Sequence, residues 1–234
     1  MPRLSIVVPT YNERENLFPL TQRIHDALQD LAVEWEILVV DDNSPDGTAA
    51  EAEALARQHP LRVLVRRDKK GLSRSVLEGF REARGDFLLV MDADLSHPPE
   101  VIPLMWETMI REECDLVVGS RYVPGGGIED WPFGRRLTSR ISRLLAMPLT
   151  DVKDPLAGFF LVRKSLVEGR ALNPVGFKIL LEILAKERDG KVREVPITFR
   201  DRVRGTSKLT HGVVLAYLVQ LGALYAGKAF TAAR

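Results

Sequence analysis

LLVMDADLSHPPE, residues 88–100, decides how the chain is read. Its first half is an apolar run of the kind that fills a buried strand. It ends in Asp92 and Asp94, separated by one alanine and followed by Pro98 and Pro99. Side chains alternate along a strand, so two acids at i and i+2 point the same way and repel each other. A divalent cation between the carboxylates relieves that repulsion. With only one or two protein carboxylates, such an ion completes its shell with water and substrate phosphates, as Mg²⁺ or Mn²⁺ does in nucleotide chemistry. The plainer alternative is that the acids end a strand and start a turn, with Ser96 capping a helix that the prolines begin.

The flanking sequence repeats one unit. LSIVVPTY (4–11) reads as a strand and residues 15–31 as a helix, with Leu17, Leu20, Ile24, Leu28 and Leu31 at helical spacing. EILVVDD (36–42) and LRVLVRR (61–67) read as strands followed by helices over 48–58 and 72–83. DFLLVMD (86–92) precedes a helix over 99–112, and DLVVGSR (115–121) makes a fifth strand. Strands alternating with helices predict an α/β fold, a mainly parallel sheet covered on both faces. The ligand crevice of such a sheet lies outside the carboxyl ends of its strands, where Asp41, Asp42, Asp92 and Asp94 fall.

Beyond Tyr122 the rhythm breaks. VPGGGIEDWPFG (123–134) reads as a lid loop, RRLTSRISRLLAMPL (135–149) as a basic amphipathic helix, AGFFLVR (157–163) as a strand, FKILLEILAKERD (177–189) as a helix and VREVPITFR (192–200) as a strand. Competing phosphate and hydrolase signatures are missing: there is no GxGxxG, GxxxxGK[ST], GxSxG or HExxH. The four histidines are scattered, and only His97 adjoins the acids.

The 33 basic and 32 acidic residues nearly cancel, so nothing in the overall charge argues for a nucleic-acid or polyanion partner, and none is expected. One cysteine, Cys114, excludes an internal disulfide framework and a zinc cluster and favours a reducing, cytoplasmic setting. MPRLSIVVPTYNE is expected to be a first strand, since it lacks the apolar core and cleavage site of a leader. VVLAYLVQLGALYAG (213–227), interrupted by Gln220, is shorter than the roughly 20 residues that span a bilayer. It is expected to lie on a membrane surface or to pack on the core.

VVPTYNE, VVDDNSPDGT, DADLSHPP, GSRY, DPLAGF, GFKILLEIL and RVRGTSKL, in that order from residue 4 to about 212, resemble the family 2 glycosyltransferases, in particular their dolichol-phosphate mannosyltransferase branch. The resemblance implies a GT-A (Rossmann-like) catalytic domain over 1–209 and a C-terminal amphipathic helical tail over 210–234. It also implies GDP-mannose as nucleotide-sugar donor, Mg²⁺ or Mn²⁺, and a polyprenyl or dolichyl phosphate acceptor. The product is polyprenyl β-D-mannosyl phosphate, formed with inversion at the cytoplasmic face of a membrane. Carried over by position, Pro9, Tyr11, Glu13 and Asp41 hold the nucleoside with Asp42 nearby, and Asp92 and Asp94 hold the metal. Arg121 faces the acceptor phosphate or the transferred sugar, and Arg200, Arg204 and Lys208 close over the phosphates. Asp154 is assigned to the site, with a structural role as its alternative. Two motifs depart from the common pattern: Ser96 replaces a frequent glutamine, and Ser73, Arg74 and Ser75 replace a glycine and small residues.

The acceptor's tail keeps it in the bilayer, so the enzyme must reach it through the helix over 134–147, through the 211–230 segment, or through a small membrane-bound partner subunit. Two rivals keep the fold and change the chemistry: a UDP-glucose-dependent polyprenyl-phosphate glucosyltransferase, or another enzyme of this family with a soluble acceptor. A nucleotidyltransferase is disfavoured because PTYNERENL holds no glycine. A catalytically silent nucleotide-sugar-binding scaffold is the rival of a different class.

Overall fold

β1 (Arg3–Thr10) lies inside the sheet, and its residues feed two apolar layers. Leu4, Ile6 and Val8 join one buried cluster and Val7 joins the other. The computed structural model describes residues 3–67, 70–129, 131–173, 178–187, 190–200 and 211–232.

β1 pairs in parallel with β2 (Glu34–Asp41) on one side and β4 (Phe87–Val90) on the other, and β2 pairs in parallel with β3 (Leu61–Val65). The sheet continues through β7 (Phe160–Arg163), β5 (Leu116–Ser120) and β8 (Val192–Pro196), in the order β3-β2-β1-β4-β7-β5-β8. α1 (Arg14–Leu28), α2 (Thr48–Leu55) and α4 (Ile102–Arg111) cover one face through Leu17, Leu20, Ile24, Ala52, Met105 and Met109. α3 (Leu72–Glu82) and, after the short α6 (Lys164–Val167), α7 (Ile179–Lys186) cover the other through Val76, Phe80, Leu180 and Ile183. α3 lies close on the sheet because of Gly79, where a Cβ would meet Val7 Cγ1 at 2.3 Å. Each large aliphatic side chain fully buried in these layers contributes about 1.5–3 kcal/mol.

The alternating reading holds through β5. The structure departs from expectation in four places, three of them beyond β5. The strand read at 157–163 starts only at Phe160 and runs antiparallel to β4 and β5. The chain leaves β5 at the carboxyl edge of the sheet and stays there through α5 (Phe133–Ala146), which lines the cleft described below, so β7 re-enters from that edge. The loop read as a lid contains β6 (Gly127–Ile128). The strand read at 192–200 breaks at Ile197, and its end, β9 (Thr198–Phe199), pairs with β6 in a separate small sheet. Finally, β4 stops at Val90, so Asp92 and Asp94 stand on a turn beyond the strand; strand alternation does not bring them together.

α8 (His211–Ala232) closes the chain. Tyr217 and Leu221 pack with Ala146, Leu149, Leu156 and Leu181, while Val214, Leu215, Leu218 and Val219 are exposed. The helix is therefore apolar on more than one side. Among the described residues, no helix is long and apolar enough to cross a membrane.

Candidate active site

β1 has β2 on one side and β4 on the other, so the strand order switches there and a crevice opens at the carboxyl ends. A cleft of about 590 Å³ occupies that place. Pro9, Tyr11, Glu13, Asp42, Asp92, Asp94 and Arg121 all line it, from four strand ends that are far apart in sequence.

The wall at β1 and β2 is stitched by short polar side chains. Asp41 is fully buried: it accepts from Thr10 Oγ1 at 3.0 Å and from the Ser44 backbone N–H at 2.8 Å. It stands behind the cleft wall and holds β1 to the NSPDGT loop. That loop fixes the start of α1, since Ser44 Oγ accepts from Asn12 N–H and Thr48 Oγ1 from Glu13 N–H. The carboxyl of Asp46 sits below its usual range: burial alone would raise it, but N–H and O–H donors from Thr48 and Arg14 outweigh that.

Asp42 does face the cleft. Its carboxylate is held by Arg66, by Ser75 Oγ at 2.9 Å and by Gly71 N–H at 2.8 Å. The Ser75 hydroxyl therefore orients an acid of the cleft wall at β1 and β2. Lys70 stands over the ring of Tyr11, 4.0 Å from its centroid, and completes that wall.

The acidic turn is equally fixed. Ser96 donates from its hydroxyl at 2.6 Å and its backbone N–H at 3.1 Å to Asp94 Oδ1. It does not cap the following helical turn, whose flanking residue is Pro98. Leu95 adopts a left-handed φ of 62°, an uncommon conformation for a bulky residue and a mark of a constrained turn. Asp92 presents its carboxylate toward Gly158, where a Cβ would sit 3.3 Å from Oδ2.

His97 is the least conspicuous of these residues in the sequence. Its Nδ1 accepts the Asp92 backbone N–H at 3.1 Å, its ring stacks on Phe159, and Phe199 meets its face edge-on. Burial pushes its pKa down, so the ring is neutral, with Nδ1 the acceptor and the proton on Nε2.

Across the cleft, Arg121 and Asp154 form a bidentate pair. Arg121 Nε and Nη2 donate at 2.7 Å each, and its backbone N–H adds a third bond at 3.0 Å. Asp154 is fully buried and does not line the cleft; it holds Arg121 there. Glu194, on β8, in turn accepts from the backbone N–H groups of Lys153 and Asp154. The guanidinium of Arg121 lies 5.4–5.6 Å from the rings of Tyr122, Trp131 and Phe199.

α5 supplies the remaining side. Arg135, Thr138, Ser139 and Ser142 line the cleft, and Arg135 packs 4.1 Å over Trp131. Arg136 and Arg140 are exposed, beside exposed Phe133, Leu137, Ile141, Leu144 and Leu145. Arg200 is also exposed and pairs with Glu129, away from the cleft lining, although its backbone N–H reaches the Ser96 carbonyl at 3.3 Å. Arg204 and Lys208 lie outside the described residues. Lys178 lines the cleft floor; only the GFKILLEIL motif hinted at it.

The donor set fits a hard divalent cation. Two carboxylates share one turn, and among the described residues no group of three or more metal-ligating side chains forms a closed site. An ion held by so few protein oxygens takes the rest of its shell from phosphates and water.

A sequence profile described as glycosyl transferase family 2 matches residues 5–170. The chain belongs to glycosyl transferase family 2. This glycosyltransferase is 51% identical over 220 residues to a dolichol-phosphate mannosyltransferase of Pyrococcus furiosus, covering 92% of the chain but only 62% of that relative. It is 45% identical to a dolichol-phosphate mannosyltransferase of Saccharomyces cerevisiae, covering 96% of the chain and 87% of the relative. Among solved structures, it matches glucosyl-3-phosphoglycerate synthase from Mycobacterium tuberculosis with TM-score 0.72 at 20% identity, over 94% of the chain and 80% of that one. Mannosyl-3-phosphoglycerate synthase from Rubrobacter xylanophilus gives TM-score 0.71 at 21% identity, over 98% and 75%. These likenesses show the GT-A fold expected from the sequence.

Proposed function

We propose that this glycosyltransferase moves mannose from GDP-mannose to the phosphate of a polyprenyl (dolichyl) phosphate, giving polyprenyl β-D-mannosyl phosphate and GDP. One observation carries the reading. A single cleft joins a donor wall ending in Asp92 and Asp94 to an opposite wall of Arg121 and Arg135, and the helix bearing Arg135 turns an apolar, arginine-flanked stripe to the outside. A charged cleft beside an exposed apolar stripe suits a substrate with an anionic head and a hydrocarbon tail. The names of the curated relatives agree with it.

In this mechanism Tyr11, Glu13 and Asp42 hold the nucleoside, with Asp41 acting from behind the wall. Asp92 and Asp94 hold Mg²⁺ or Mn²⁺, which when bound offsets the charge of the leaving diphosphate. A relative in fold, the M. tuberculosis synthase, has been solved with Mn²⁺ and UDP-glucose. The acceptor phosphate oxygen attacks the anomeric carbon from the face opposite the diphosphate. The anomeric C–O bond breaks with its electron pair passing to the diphosphate, and the configuration inverts. The nucleophile is already anionic at neutral pH, so the protein mainly aligns two anions that repel. Arg121, held in position by Asp154, and Arg135 give that alignment, since guanidinium forks grip phosphate bidentately. Arg200, Arg204 and Lys208 belong to the segment that closes over the diphosphate.

Residues 1–209 form the catalytic domain and 210–234 the tail, and the exposed faces of α5 and α8 dock on the cytoplasmic face of a membrane, directly or beside a small anchoring subunit. The test is transfer of labelled mannose from GDP-mannose into a chloroform-soluble product, with polyprenyl phosphate in detergent, with and without Mg²⁺. Metal-dependent product from the wild type and none from Asp92→Ala supports the reading. Product formed instead from UDP-glucose overturns the donor, and GDP binding without any lipid product overturns the acceptor.

A further inference from the structure

Lys178 immediately precedes α7 and extends into the cleft floor. Its backbone is fixed from the tail: Gln220, the polar interruption of the apolar 213–227 run, donates to the Lys178 carbonyl at 3.1 Å. Its ammonium donates to the Leu156 carbonyl at 3.1 Å, a neutral acceptor that leaves two of three N–H donors for other partners. Lys178 is half-buried, and its ammonium stands in a cleft beside Arg121 and Arg135, where an anion would offset the gathered positive charge. Burial accordingly pushes its pKa down, Arg121 and Arg135 press the same way, and Asp92 and Asp154 oppose them. Both oxygens of Asp154 are already bonded to Arg121, and Asp92 belongs to the pair assigned to the metal.

The location narrows which substrate anion supplies the missing charge. In the strand order the donor wall lies at β1 and β2, the acidic turn follows β4, and Leu156 to Gly158 precede β7 on the far side of β4. Lys178 is bonded on that far side, with Arg121 at the end of β5 and Arg135 on α5.

We propose that Lys178 contacts the substrate, its ammonium donating to the acceptor phosphate that Arg121 and Arg135 also hold. This rests on the acceptor class proposed above. Three cations of different reach then fix the phosphate from separate elements, α5, α7 and the end of β5, so that one oxygen stays directed at the donor. The same ammonium holds the segment from Leu156 to Gly158 in place through the Leu156 carbonyl.

Farnesyl phosphate, a water-soluble isoprenyl phosphate, is the probe, read by fluorescence of the tryptophan lining the cleft, Trp131. It is titrated into the wild type, Lys178→Met and Lys178→Gln, with GDP and Mn²⁺ binding followed by calorimetry. The glutamine variant keeps a donor for the Leu156 carbonyl and loses the charge. The expected result is farnesyl phosphate binding weakened at least about tenfold in both variants, equivalent to about 1.4 kcal/mol, with GDP binding unchanged. Wild-type-like binding by the glutamine variant, or loss of GDP binding in both, assigns the residue a purely structural role and overturns the proposal. If the wild type binds farnesyl phosphate and both variants bind it more weakly, yet no mannose is transferred, the reaction reading fails and the Lys178 site stands. If the wild type does not bind farnesyl phosphate, both fall.

Discussion

Asp154→Asn is the sharpest single perturbation of the cleft. The amide keeps the shape of the carboxylate but exchanges one acceptor for a donor. Arg121 gives three hydrogen bonds to this side chain, two to Oδ2 and one to Oδ1. With the amide oxygen in place of Oδ2, the amide nitrogen faces Nη2, donor against donor; flipped, it faces two donors. At least one charge-assisted bond is lost in either orientation, and each is worth about 1.5–3 kcal/mol. The guanidinium also loses its counter-charge where the two side chains are only 10% and 0% exposed. Breaking such a buried pair from one side costs about 3–5 kcal/mol. For a chain of this length each kcal/mol moves Tm by about 2–4 °C, so a fall of about 6–20 °C is expected. Thermal unfolding followed by circular dichroism gives the stability, and mannosyl transfer at a temperature where the variant is folded gives the catalytic effect. Activity should drop more than tenfold, because an unheld Arg121 no longer presents a fixed fork. A variant with Tm within 2 °C of the wild type and full activity would refute the assignment of Asp154 as the residue that holds Arg121.

Gly158→Ala places a methyl carbon 3.3 Å from Asp92 Oδ2 and from His97 Cε1, so the carboxylate must shift by a few tenths of an ångström. Mn²⁺-dependent GDP binding should weaken by about tenfold or more, since metal sites tolerate about 0.2 Å; unchanged binding in calorimetry would place the ion elsewhere. Glu194→Ala removes the acceptor for the Lys153 and Asp154 N–H groups, and acceptor KM should rise with donor KM unchanged, a split read by steady-state kinetics. Glu36 tests the opposite end of the sheet. Burial alone would raise its pKa, but Arg62, the Arg84 N–H and Ser5 outweigh that and hold it below its ordinary 4.5. Its folded value lies below its unfolded one, so its contribution is complete above about pH 4.5 and is lost as pH falls through the folded value. Urea unfolding should therefore show a wild-type advantage over Glu36→Gln that shrinks on acidification; an advantage that grows would reverse the assignment.

The first half of the fold was legible because β1, β2, β4 and β5 are largely apolar runs and α1, α3 and α4 place apolar residues at helical spacing. Both are local patterns, and β1 to β5 follow them. The direction of β7 was not legible. Phe160 to Arg163 read equally well in either sense, and only the path of α5 along the carboxyl edge sets it. β6 and β9 are two residues each, too short for periodicity to register. At the site, Asp92, Asp94, Arg121 and the β1 residues were visible as motifs and do line one cleft. Asp41 and Asp154 carried the same motif signal, yet they act from behind the wall, because a sequence does not distinguish an acid that meets a ligand from one that orients its neighbour. Lys178 was hidden for the converse reason: its residue type is usual on a surface, and only its tertiary surroundings make it a cleft residue.

The same contacts join elements that the sequence presents as separate. The Arg200 N–H bonds to the Ser96 carbonyl, Phe199 meets His97, and the β9 strand that carries Phe199 pairs with β6 in the 123–134 loop. His97 holds the backbone of Asp92 and Ser96 holds Asp94. The three residues from Thr198 to Arg200 therefore touch both the 123–134 loop and the supports of the two acids, Asp92 and Asp94. A displacement of β9 would take the edge-on partner from His97, and a displacement of Arg200 the N–H partner from the Ser96 carbonyl. The small β6–β9 sheet and the acidic turn are thus joined into one packed unit through two adjacent residues of the DADLSHPP motif, Ser96 and His97.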